Sequence, residues 1–331
     1  DHGLLVDRNM VRLLDLANPS APAEEGVYSL PETRILDAVR DGTILYVASA
    51  IDRSGVTVVD ISMPSVPREL AYTNDGRYSH LVLAGGCLYA AGEAEDASSP
   101  TVPGLRVYDV TVPTAPLEMS WMEWPAPGPY DLAVAANRLY VALDGGVRMF
   151  TVADPTDPRY VGTIGTSGAV GAVAADPDGA HAWLVHGGVL EAVDVTDPGA
   201  PVRLGTIENA RPDRVGEAGE AGLAANGDTV VVTQLDAGTF VVDSSNPRAL
   251  ARAATLADGL PGRVHHVASV GDRAIALVGR RMAEIDLAQP DRPVVTAVLP
   301  PGPDRWFTHA AVSDATLALL ARTADDDLEL E

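Results

Sequence analysis

The chain has 331 residues and a formal net charge of −23, and all 23 of its basic residues are arginine. A field of that sign repels nucleic acid phosphates and anionic lipid surfaces, so neither nucleic acid nor a membrane is an expected partner. The single cysteine excludes an internal disulfide and a thiolate metal cluster. No apolar run approaches the roughly 20 residues that cross a bilayer.

The first feature along the chain is a phrase that recurs seven times: an apolar pair, usually an aspartate, then a turn bounded by proline. The aspartates, with one threonine among them, follow each other at intervals of 42 to 49 residues: Asp15, Asp60, Asp109, Thr151, Asp194, Asp243 and Asp286. A near-constant period of this size is typical of repeat architectures. A carboxylate at such a place accepts backbone N–H bonds, so we interpret these aspartates as turn-forming rather than catalytic.

Within one repeat, the segment DLAVAANRLYVALDGGVRMFTV from Asp131 gives three short strands separated by Ala-Asn-Arg and Asp-Gly-Gly turns. A fourth strand, RYVGTIG, follows the proline turn. Four antiparallel strands in about 45 residues are typical of a propeller blade. No segment has sustained helical periodicity, so the sequence predicts an all-β protein. The acidic insertion GEAEDASSP from Gly92 is interpreted as a solvated loop of the second repeat.

The two ends of the chain each lack part of a repeat. The first aspartate turn comes at Asp15 and leaves no room for two strands before it, whereas residues 305–331 supply two strands without such a turn. Joining the ends would complete a seventh blade from residues 1–30 and 305–331 and remove an open sheet edge. The sequence therefore predicts one domain over residues 1–331, a seven-bladed β-propeller in which N-terminal outer strands pair with C-terminal inner strands.

The units GLRVYDVTVPTAP, which starts at Gly104, and DLAVAANRLYVA, which starts at Asp131, resemble the bacterial LVIVD repeat. The resemblance extends over essentially the whole chain. It implies a seven-bladed propeller of a surface or secreted bacterial protein, and it transfers no catalytic or binding residue. Because the chain starts with Asp1 instead of methionine, we also expect that a leader was removed. The expected location is extracytoplasmic: periplasmic, secreted or on the cell surface.

One position opens the first strand of every repeat and is rich in histidine and aspartate. Alignment on the apolar pair after the first hairpin turn assigns it to Asp37, His80, Asp131, Gly171, Gly222, His266 and His309. In a propeller these residues would form a ring near the axis, which the two glycines leave open on one side. Imidazole and carboxylate groups are ligands for divalent transition metals such as zinc, manganese or iron. The alternative is that the aspartates bond to amides at strand starts and that the ring is too wide for one ion.

A second register, three residues earlier, is rich in arginine. It contains Arg34, Arg77 and Arg263, with Arg305 and Trp306 at or beside the corresponding place in the last repeat. Guanidinium groups pair bidentately with carboxylates and phosphates, so this register predicts an anion site at the axial mouth. The alternative is that each arginine pairs with a neighbouring acid such as Glu32 or Asp304. Tyr78 and Tyr130 lie beside the ring and are further candidates for ligand binding.

The sequence favours a binding or scaffold module over an enzyme. It contains no nucleophile elbow, paired-histidine zinc motif, glycine-rich phosphate loop or EF-hand pattern, and a propeller fold by itself implies no activity. The leading hypothesis is an exported or surface-associated propeller that binds an anionic small molecule or another protein through its axial face. The alternative is a metal-dependent hydrolase or lyase acting on an anionic small molecule or acidic saccharide. Its metal would be held by His80, His266 and His309 with Asp37 or Asp131 and would activate water.

Overall fold

The structure is a computed structural model of the chain. It describes residues 2–7, 9–15, 23–96, 99–124, 128–208, 221–234, 238–255, 264–270, 273–278, 281–289, 292–299, 305–313 and 316–323. The regular elements of these residues are β-strands, so the all-β prediction is confirmed. In the described part of the chain, no helix has the length and apolar character needed to span a membrane.

The strands are short and follow each other closely. The first seven are β1 (His2–Asp7), β2 (Met10–Asp15), β3 (Ala23–Ser29), β4 (Thr33–Asp41), β5 (Ile44–Ile51), β6 (Gly55–Asp60) and β7 (Arg68–Tyr72). Next come β8 (Gly76–Ala84), β9 (Cys87–Asp96), β10 (Ser99–Asp109), β11 (Leu117–Glu123), β12 (Asp131–Ala135), β13 (Arg138–Leu143), β14 (Gly146–Thr151) and β15 (Arg159–Gly165). They are followed by β16 (Val170–Ala175), β17 (His181–His186), β18 (Val189–Asp194), β19 (Val202–Glu208), β20 (Ala221–Asn226), β21 (Thr229–Gln234), β22 (Gly238–Asp243) and β23 (Ala251–Thr255). The last are β24 (Val264–Val270), β25 (Arg273–Val278), β26 (Arg281–Asp286), β27 (Val294–Leu299), β28 (Arg305–Ser313) and β29 (Thr316–Thr323).

The described strands form seven small sheets, six of which have four antiparallel strands in chain order. We number these six sheets along the chain: sheet 1 is β4–β7, sheet 2 is β8–β11, sheet 3 is β12–β15, sheet 4 is β16–β19, sheet 5 is β20–β23 and sheet 6 is β24–β27. We call the first strand of each sheet its inner strand, since successive first strands pack against each other from β4 to β28. The unit predicted for sheet 3 is confirmed, with its fourth strand after the proline turn.

Sheet 7 contains strands from both ends of the chain. Its order is β28–β29–β1–β2–β3, with β1 parallel to β29 and antiparallel to β2. The expectation that no two strands fit before Asp15 is wrong. Asp7 pairs with Met10, so a two-residue turn suffices to connect two six-residue strands ahead of the first proline turn. Sheet 7 consequently has five strands instead of the expected four.

The core lies between successive sheets, which explains the apolar pair in each repeat. Adjacent residues of a strand point to opposite faces. Among the described residues, buried clusters lie between sheets 7 and 1 and between each successive pair of sheets from 1 to 6. In β5, Leu45 packs toward sheet 7 against Leu13, and Tyr46 packs toward sheet 2 against Leu88. Leu88 belongs to β9, and the residue after it, Tyr89, points to the opposite face and packs toward sheet 3. Each buried side chain of this size stabilises the fold by roughly 1.5–3 kcal/mol.

The repeated aspartates end the strand that precedes each proline turn, which is the third strand in sheets 1, 2, 4, 5 and 6. Asp109 Oδ1 accepts the backbone N–H of Thr111 at 2.9 Å and its hydroxyl at 2.6 Å. These bonds hold the pKa of the Asp109 carboxyl below its ordinary value. The same bond to the amide two residues later is made by Asp60, Asp194, Asp243 and Asp286. Thr151 accepts more weakly, at 3.5 Å from the N–H of Ala153. The interpretation of these residues as turn-forming is confirmed.

The proline turns also contact the preceding sheet, through a small residue that the sequence interpretation did not use. Gly162 in β15 lies against the carbonyl of Pro198 in sheet 4, and a methyl group at Gly162 would overlap that oxygen. In β11, Ser120 instead donates from its hydroxyl to the carbonyl of Pro155 at 2.9 Å. The same position in the other fourth strands also holds a small residue: Gly26, Ala71, Gly205, Ala254 and Ala297.

Candidate functional site

The strand register places the predicted ring residues at one rung of the inner strands. The pairs are Asp37–Ala48, His80–Ala91, Asp131–Ala142, Gly222–Thr233, His266–Leu277 and His309–Leu320. In sheet 4 the rung is held by Ala172, which pairs with Val185, and the assignment of Gly171 is wrong. A longer hairpin turn follows β16, so counting back from the apolar pair misses by one residue. Sheets 4 and 5 still contribute no polar side chain at this rung.

The two ring aspartates join neighbouring sheets. Asp37 Oδ1 accepts the N–H of Ala38 at 2.7 Å, and its Oδ2 accepts the N–H of Leu81 in sheet 2, also at 2.7 Å. Asp131 makes the matching bonds, one within β12 and one to the N–H of Val173 in sheet 4 at 2.8 Å. The alternative interpretation, in which these carboxylates bond to amides of the inner strands, is therefore confirmed for both residues.

Burial brings the pKa of both carboxyls toward neutrality. Desolvation raises the pKa of Asp37 to about 6, although its two N–H bonds act in the opposite direction. Desolvation likewise raises the pKa of Asp131 to about 7, and repulsion from Asp37 adds a smaller contribution. A fraction of each carboxyl therefore carries a proton at neutral pH.

The histidines of the ring are described to different extents. His80 Nδ1 lies 2.9 Å from the hydroxyl of Ser79, the residue that forms the bulge before it. His266 and His309 occupy matching backbone rungs, but their side chains lie outside the described residues. Within the described residues, no three His, Cys, Asp or Glu side chains are grouped to hold a metal ion. The zinc, manganese or iron site thus stays a prediction, and a carboxylate ligand would have to share its oxygens with backbone amides.

The arginine register lies where loops lead into the inner strands, a side that we call the axial face. Arg34 of β4 is half-buried and, among the residues that the structure describes, its guanidinium makes no ion pair, so the pairing with Glu32 is not formed there. The Arg77 side chain is 50% exposed and approaches Glu93 only to 3.9 Å. The side chains of Arg263, Arg305 and Trp306 lie outside the described residues. Two weakly paired cations are therefore present at this face.

The two tyrosines of the predicted site have different environments. The hydroxyl of Tyr130 donates to Asp144 at 3.0 Å near the surface, and desolvation raises the pKa of Tyr130 above its ordinary value. Tyr78 has no exposed surface and packs between sheets 1 and 2, so its assignment to a ligand site is wrong. Because neighbouring residues of β8 point to opposite faces, the side chain of Arg77 reaches solvent and that of Tyr78 enters the core.

The acidic insertion of sheet 2 is a strand extension, and its interpretation as a loop is wrong. β9 continues to Asp96 and β10 begins at Ser99, so the two strands pair along most of the insertion. The inner strand β8 extends with them and sets Arg77 opposite Glu93. Glycines at positions 92 and 104 give the alternating pattern of the extension little side-chain signal, which is why the sequence read as a loop.

Residues 42–74, which contain β5, β6 and β7, match the family model of the LVIVD repeat, a repeat family found in β-propeller proteins. This chain carries an LVIVD repeat. The resemblance to the LVIVD repeat is confirmed in this segment, whereas its extension over the rest of the chain stays a prediction. The matched segment of the LVIVD-repeat protein includes the Asp60 turn and ends just before the loop that leads into β8.

Solved structures with a similar fold include three with low sequence identity. Saccharomyces cerevisiae Sqt1 has a TM-score of 0.63 and 11% identity, over 97% of the LVIVD-repeat protein and 92% of that chain. A chain of the Mitotic Checkpoint Complex has a TM-score of 0.60 and 15% identity over 85% and 88% of the two chains. The RRP9 WD40 repeats have a TM-score of 0.57 and 12% identity over 86% and 88%. WD40 repeats form β-propellers, so the fold is propeller-like. No curated protein matches the sequence.

The sequence interpretation missed a buried polar network behind the axial face of the LVIVD-repeat protein. Asp75, in the loop before β8, accepts hydrogen bonds from the hydroxyls of Tyr78 at 3.1 Å and Tyr108 at 2.5 Å. Arg106 approaches the same carboxylate at 3.4 Å. Burial raises the pKa of both tyrosines, so their hydroxyls stay protonated and act as donors. The network fixes the loop that precedes Arg77. The sequence signal that could have indicated this network is the arginine, Arg106, within the otherwise apolar strand GLRVYD.

A second buried cluster of the LVIVD-repeat protein lies in sheet 4. Glu191 is 1% exposed, and its Oε2 lies 3.1 Å from Nε2 of His186. Arg203 donates to the other oxygen and also to the carbonyl of Gly165 in sheet 3. A buried carboxylate with two such partners is compensated and ties the two sheets together. The signal in the sequence was a glutamate inside the apolar segment VLEAVD.

Proposed function

We propose that the LVIVD-repeat protein is a binding scaffold of an extracytoplasmic bacterial location, exported or attached to the surface, that takes a partner protein at its axial face. The partner presents carboxylate groups, which Arg34 and Arg77 receive. The fold supports this proposal because propellers host many binding functions. One structural neighbour comes from a multiprotein complex.

The scaffold in this proposal is a single domain over residues 1–331, a seven-bladed propeller closed by pairing of its two ends. Two observations support closure. β28 and β29 share a sheet with β1, β2 and β3, and both β29 and β1 lie against β4, the inner strand of sheet 1. A closed ring would leave no unpaired sheet edge between the last and the first blade.

The proposal depends mainly on the observation that neither arginine has a close carboxylate partner among the described residues. The chain has 46 acidic residues against 23 arginines, so an arginine without a close carboxylate is unexpected. Arg34 makes no ion pair within the described residues, and Arg77 reaches Glu93 only at 3.9 Å. A guanidinium that is weakly paired in the free protein can form charge-assisted bonds with a partner at little cost in lost contacts.

The described axial carboxylates favour binding over the alternative of a metal-dependent hydrolase or lyase. A general base or a metal ligand needs a free lone pair facing the reactant. Each oxygen of Asp37 and of Asp131 already accepts one backbone N–H group, which leaves only part of their lone pairs for a metal ion or a substrate. Their present role is therefore to position strands.

The experiment uses peptides as probes. A random peptide library displayed on phage is panned against the immobilised wild-type chain, and the affinities of enriched peptides are measured for the wild type and for Arg34→Ala/Arg77→Ala. The control is Arg159→Ala/Arg248→Ala, which removes one arginine at the start of β15, directly after a proline turn, and one within a proline turn, both away from the axial face. We expect the first double variant to lose at least about tenfold in affinity because charge-assisted bonds disappear, and we expect the control to bind like the wild type.

Two results would overturn the proposal. One is a library that yields no enriched peptide on the wild type. The other is equal binding by Arg34→Ala/Arg77→Ala and the wild type, which would show that the arginines take no part. Succinate tested as a competitor separates the sources of the carboxylate. Full competition would indicate a site for a free anionic small molecule, and this would replace the protein partner.

A further inference from the structure

Ile51 at the end of β5 combines two features that rarely occur together. Its side chain is 59% exposed, and its backbone has a φ of 80°. Positive φ is disfavoured for β-branched residues, because the branched side chain clashes with its own backbone. The hairpin turn from Ile51 to Gly55 lies on the axial face, since Ile51 pairs with Thr33 at the start of the inner strand β4.

The turn that contains Ile51 is held by side-chain bonds. The hydroxyl of Ser54 donates to the carbonyl of Ile51 at 3.3 Å, and the hydroxyl of Ser49 donates to the carbonyl of Arg53 at 2.8 Å. The Arg53 side chain pairs with Glu69 at 2.8 Å. It also stacks at 4.1 Å on the ring of Tyr72. The surrounding structure therefore fixes the conformation that strains Ile51.

Other hairpins at this face reverse without such strain. The turns after β13 and β17 place glycine at positive φ: Gly145 at 78°, Gly187 at 54° and Gly188 at 79°. Sheet 1 instead has two non-glycine residues at positive φ near each other: Ile51 at the end of β5 and Glu32, at 61°, in the turn directly before β4. Backbone strain at a rigid surface position is a feature of binding sites.

Arg34 is the neighbour of this position along β4. Thr33 pairs with Ile51 and Arg34 pairs with Ala50, so Arg34 and Ile51 are one register step apart. Both residues therefore lie at the axial end of sheet 1, where the backbone position of an exposed apolar residue is next in register to that of a cation that makes no ion pair within the described residues. The centres of protein interfaces are more apolar than their rims, and arginine is the basic residue that is enriched there.

We infer that Ile51 is the apolar anchor of the axial binding site and that the partner contacts it with an apolar residue next to the carboxylate that Arg34 binds. This inference rests on the proposed function and specifies the partner: a protein segment with an acidic and an apolar side chain close together. The strain is retained because a glycine at this position would relax the turn and remove the anchor.

The test measures the peptides enriched on the wild-type chain against variants of Ile51. Ile51→Thr keeps the branched shape and removes the apolar contact, whereas Ile51→Val keeps both. Val112→Thr is the matched control, because Val112 is equally exposed, at 56%, in a proline turn away from the axial face. We expect Ile51→Thr and Ile51→Gly to lose about tenfold in affinity, and Ile51→Val and Val112→Thr to stay within about twofold of the wild type. Ile51→Gly is also expected to unfold at a temperature no lower than the wild type, since glycine relieves the strain.

The outcomes separate this inference from the proposed function. If Ile51→Thr binds like the wild type while Arg34→Ala/Arg77→Ala does not, the anchor is refuted and the arginine site stands. If Val112→Thr loses as much affinity as Ile51→Thr, the effect is not local and the anchor is refuted. If no variant changes binding, both ideas fall. A marked drop in the unfolding temperature of Ile51→Gly would show that the backbone is not strained there, which removes the reason for singling out Ile51.

Discussion

Asp37 in sheet 1 holds Leu81 in sheet 2: its Oδ2 accepts the backbone N–H of Leu81 at 2.7 Å. Asp131 in sheet 3 accepts the backbone N–H of Val173 in sheet 4 in the same way, at 2.8 Å. Each aspartate also accepts an N–H of its own strand. A side chain at the start of one inner strand therefore fixes the position of the next inner strand. At the corresponding rung, sheets 4 and 5 have Ala172 and Gly222, so they lack this link.

The first prediction concerns the pH dependence of stability. Folding raises the pKa of Asp37 to about 6 and that of Asp131 to about 7, from an ordinary value near 4. The folded state thus binds these protons more tightly than the unfolded state. Both residues should therefore lower the free energy of unfolding as the pH rises from about 4 to about 7, with no further change above that range.

Replacing Asp37 and Asp131 by asparagine should make this slope less negative, because asparagine does not titrate. The measurement is urea unfolding at several pH values between about 4 and 8, with Asp228→Asn as the control at an exposed position. A double variant with the slope of the wild type would show that the two carboxyls titrate normally.

The second prediction concerns the small residues against the proline turns. Gly162→Val should destabilise the protein by about 1–3 kcal/mol, since the side chain would have to displace the Pro198 carbonyl. Gly165→Val in the same strand is the matched control, because nothing lies within 4 Å of its Cβ position. Thermal unfolding of both variants tests the contact. Equal losses would mean that strand propensity, and not the proline turn, limits residue size in β15.

The third prediction separates the two roles considered for the repeated aspartates. Asp109→Ala should lower the unfolding temperature slightly, because the Thr111 amide and hydroxyl lose their acceptor. Asp109→Asn should retain most of the stability, because the amide oxygen still accepts the N–H bond. The folded pKa of Asp109 is lowered, so the contribution of its charge is present above about pH 4 and is lost at lower pH. Equal unfolding temperatures for the alanine and asparagine variants would contradict the turn role.

The fourth prediction concerns metal in the ring. If the histidines bind zinc, manganese or iron as the sequence predicts, elemental analysis of protein purified without chelator should find near-stoichiometric metal that His80→Ala/His309→Ala loses. Asp37→Asn should keep the metal, because both oxygens of Asp37 are already engaged by N–H groups. A wild-type protein that stays free of metal after incubation with zinc or manganese would remove the ring as a metal site.

The sequence by itself determined the repeat, the strand count of each internal sheet and the turn role of the aspartates. These properties depend on local chemistry: a carboxylate such as that of Asp109 bonds two residues away, and the pair Leu45–Tyr46 reports that both faces of its strand are buried. The register of the inner strands could be inferred from the sequence only where the hairpin turn after the inner strand had the same length in each sheet. The longer turn after β16 shifted the ring position from Gly171 to Ala172.

Only the tertiary structure decided what the axial residues contact. Oδ2 of Asp37 accepts the N–H of a residue 44 positions away in the sequence, and no local sequence pattern indicates which distant residue that is. The same holds for Tyr78, whose side chain is buried between sheets 1 and 2. It also holds for Ile51, which has a positive φ in a turn where the hydroxyl of Ser54 donates to its carbonyl. The partners of a side chain depend on how separate sheets pack. The sequence therefore indicated which residues lie at the axial face, and only the fold showed which of them hold strands together and which are open to a partner.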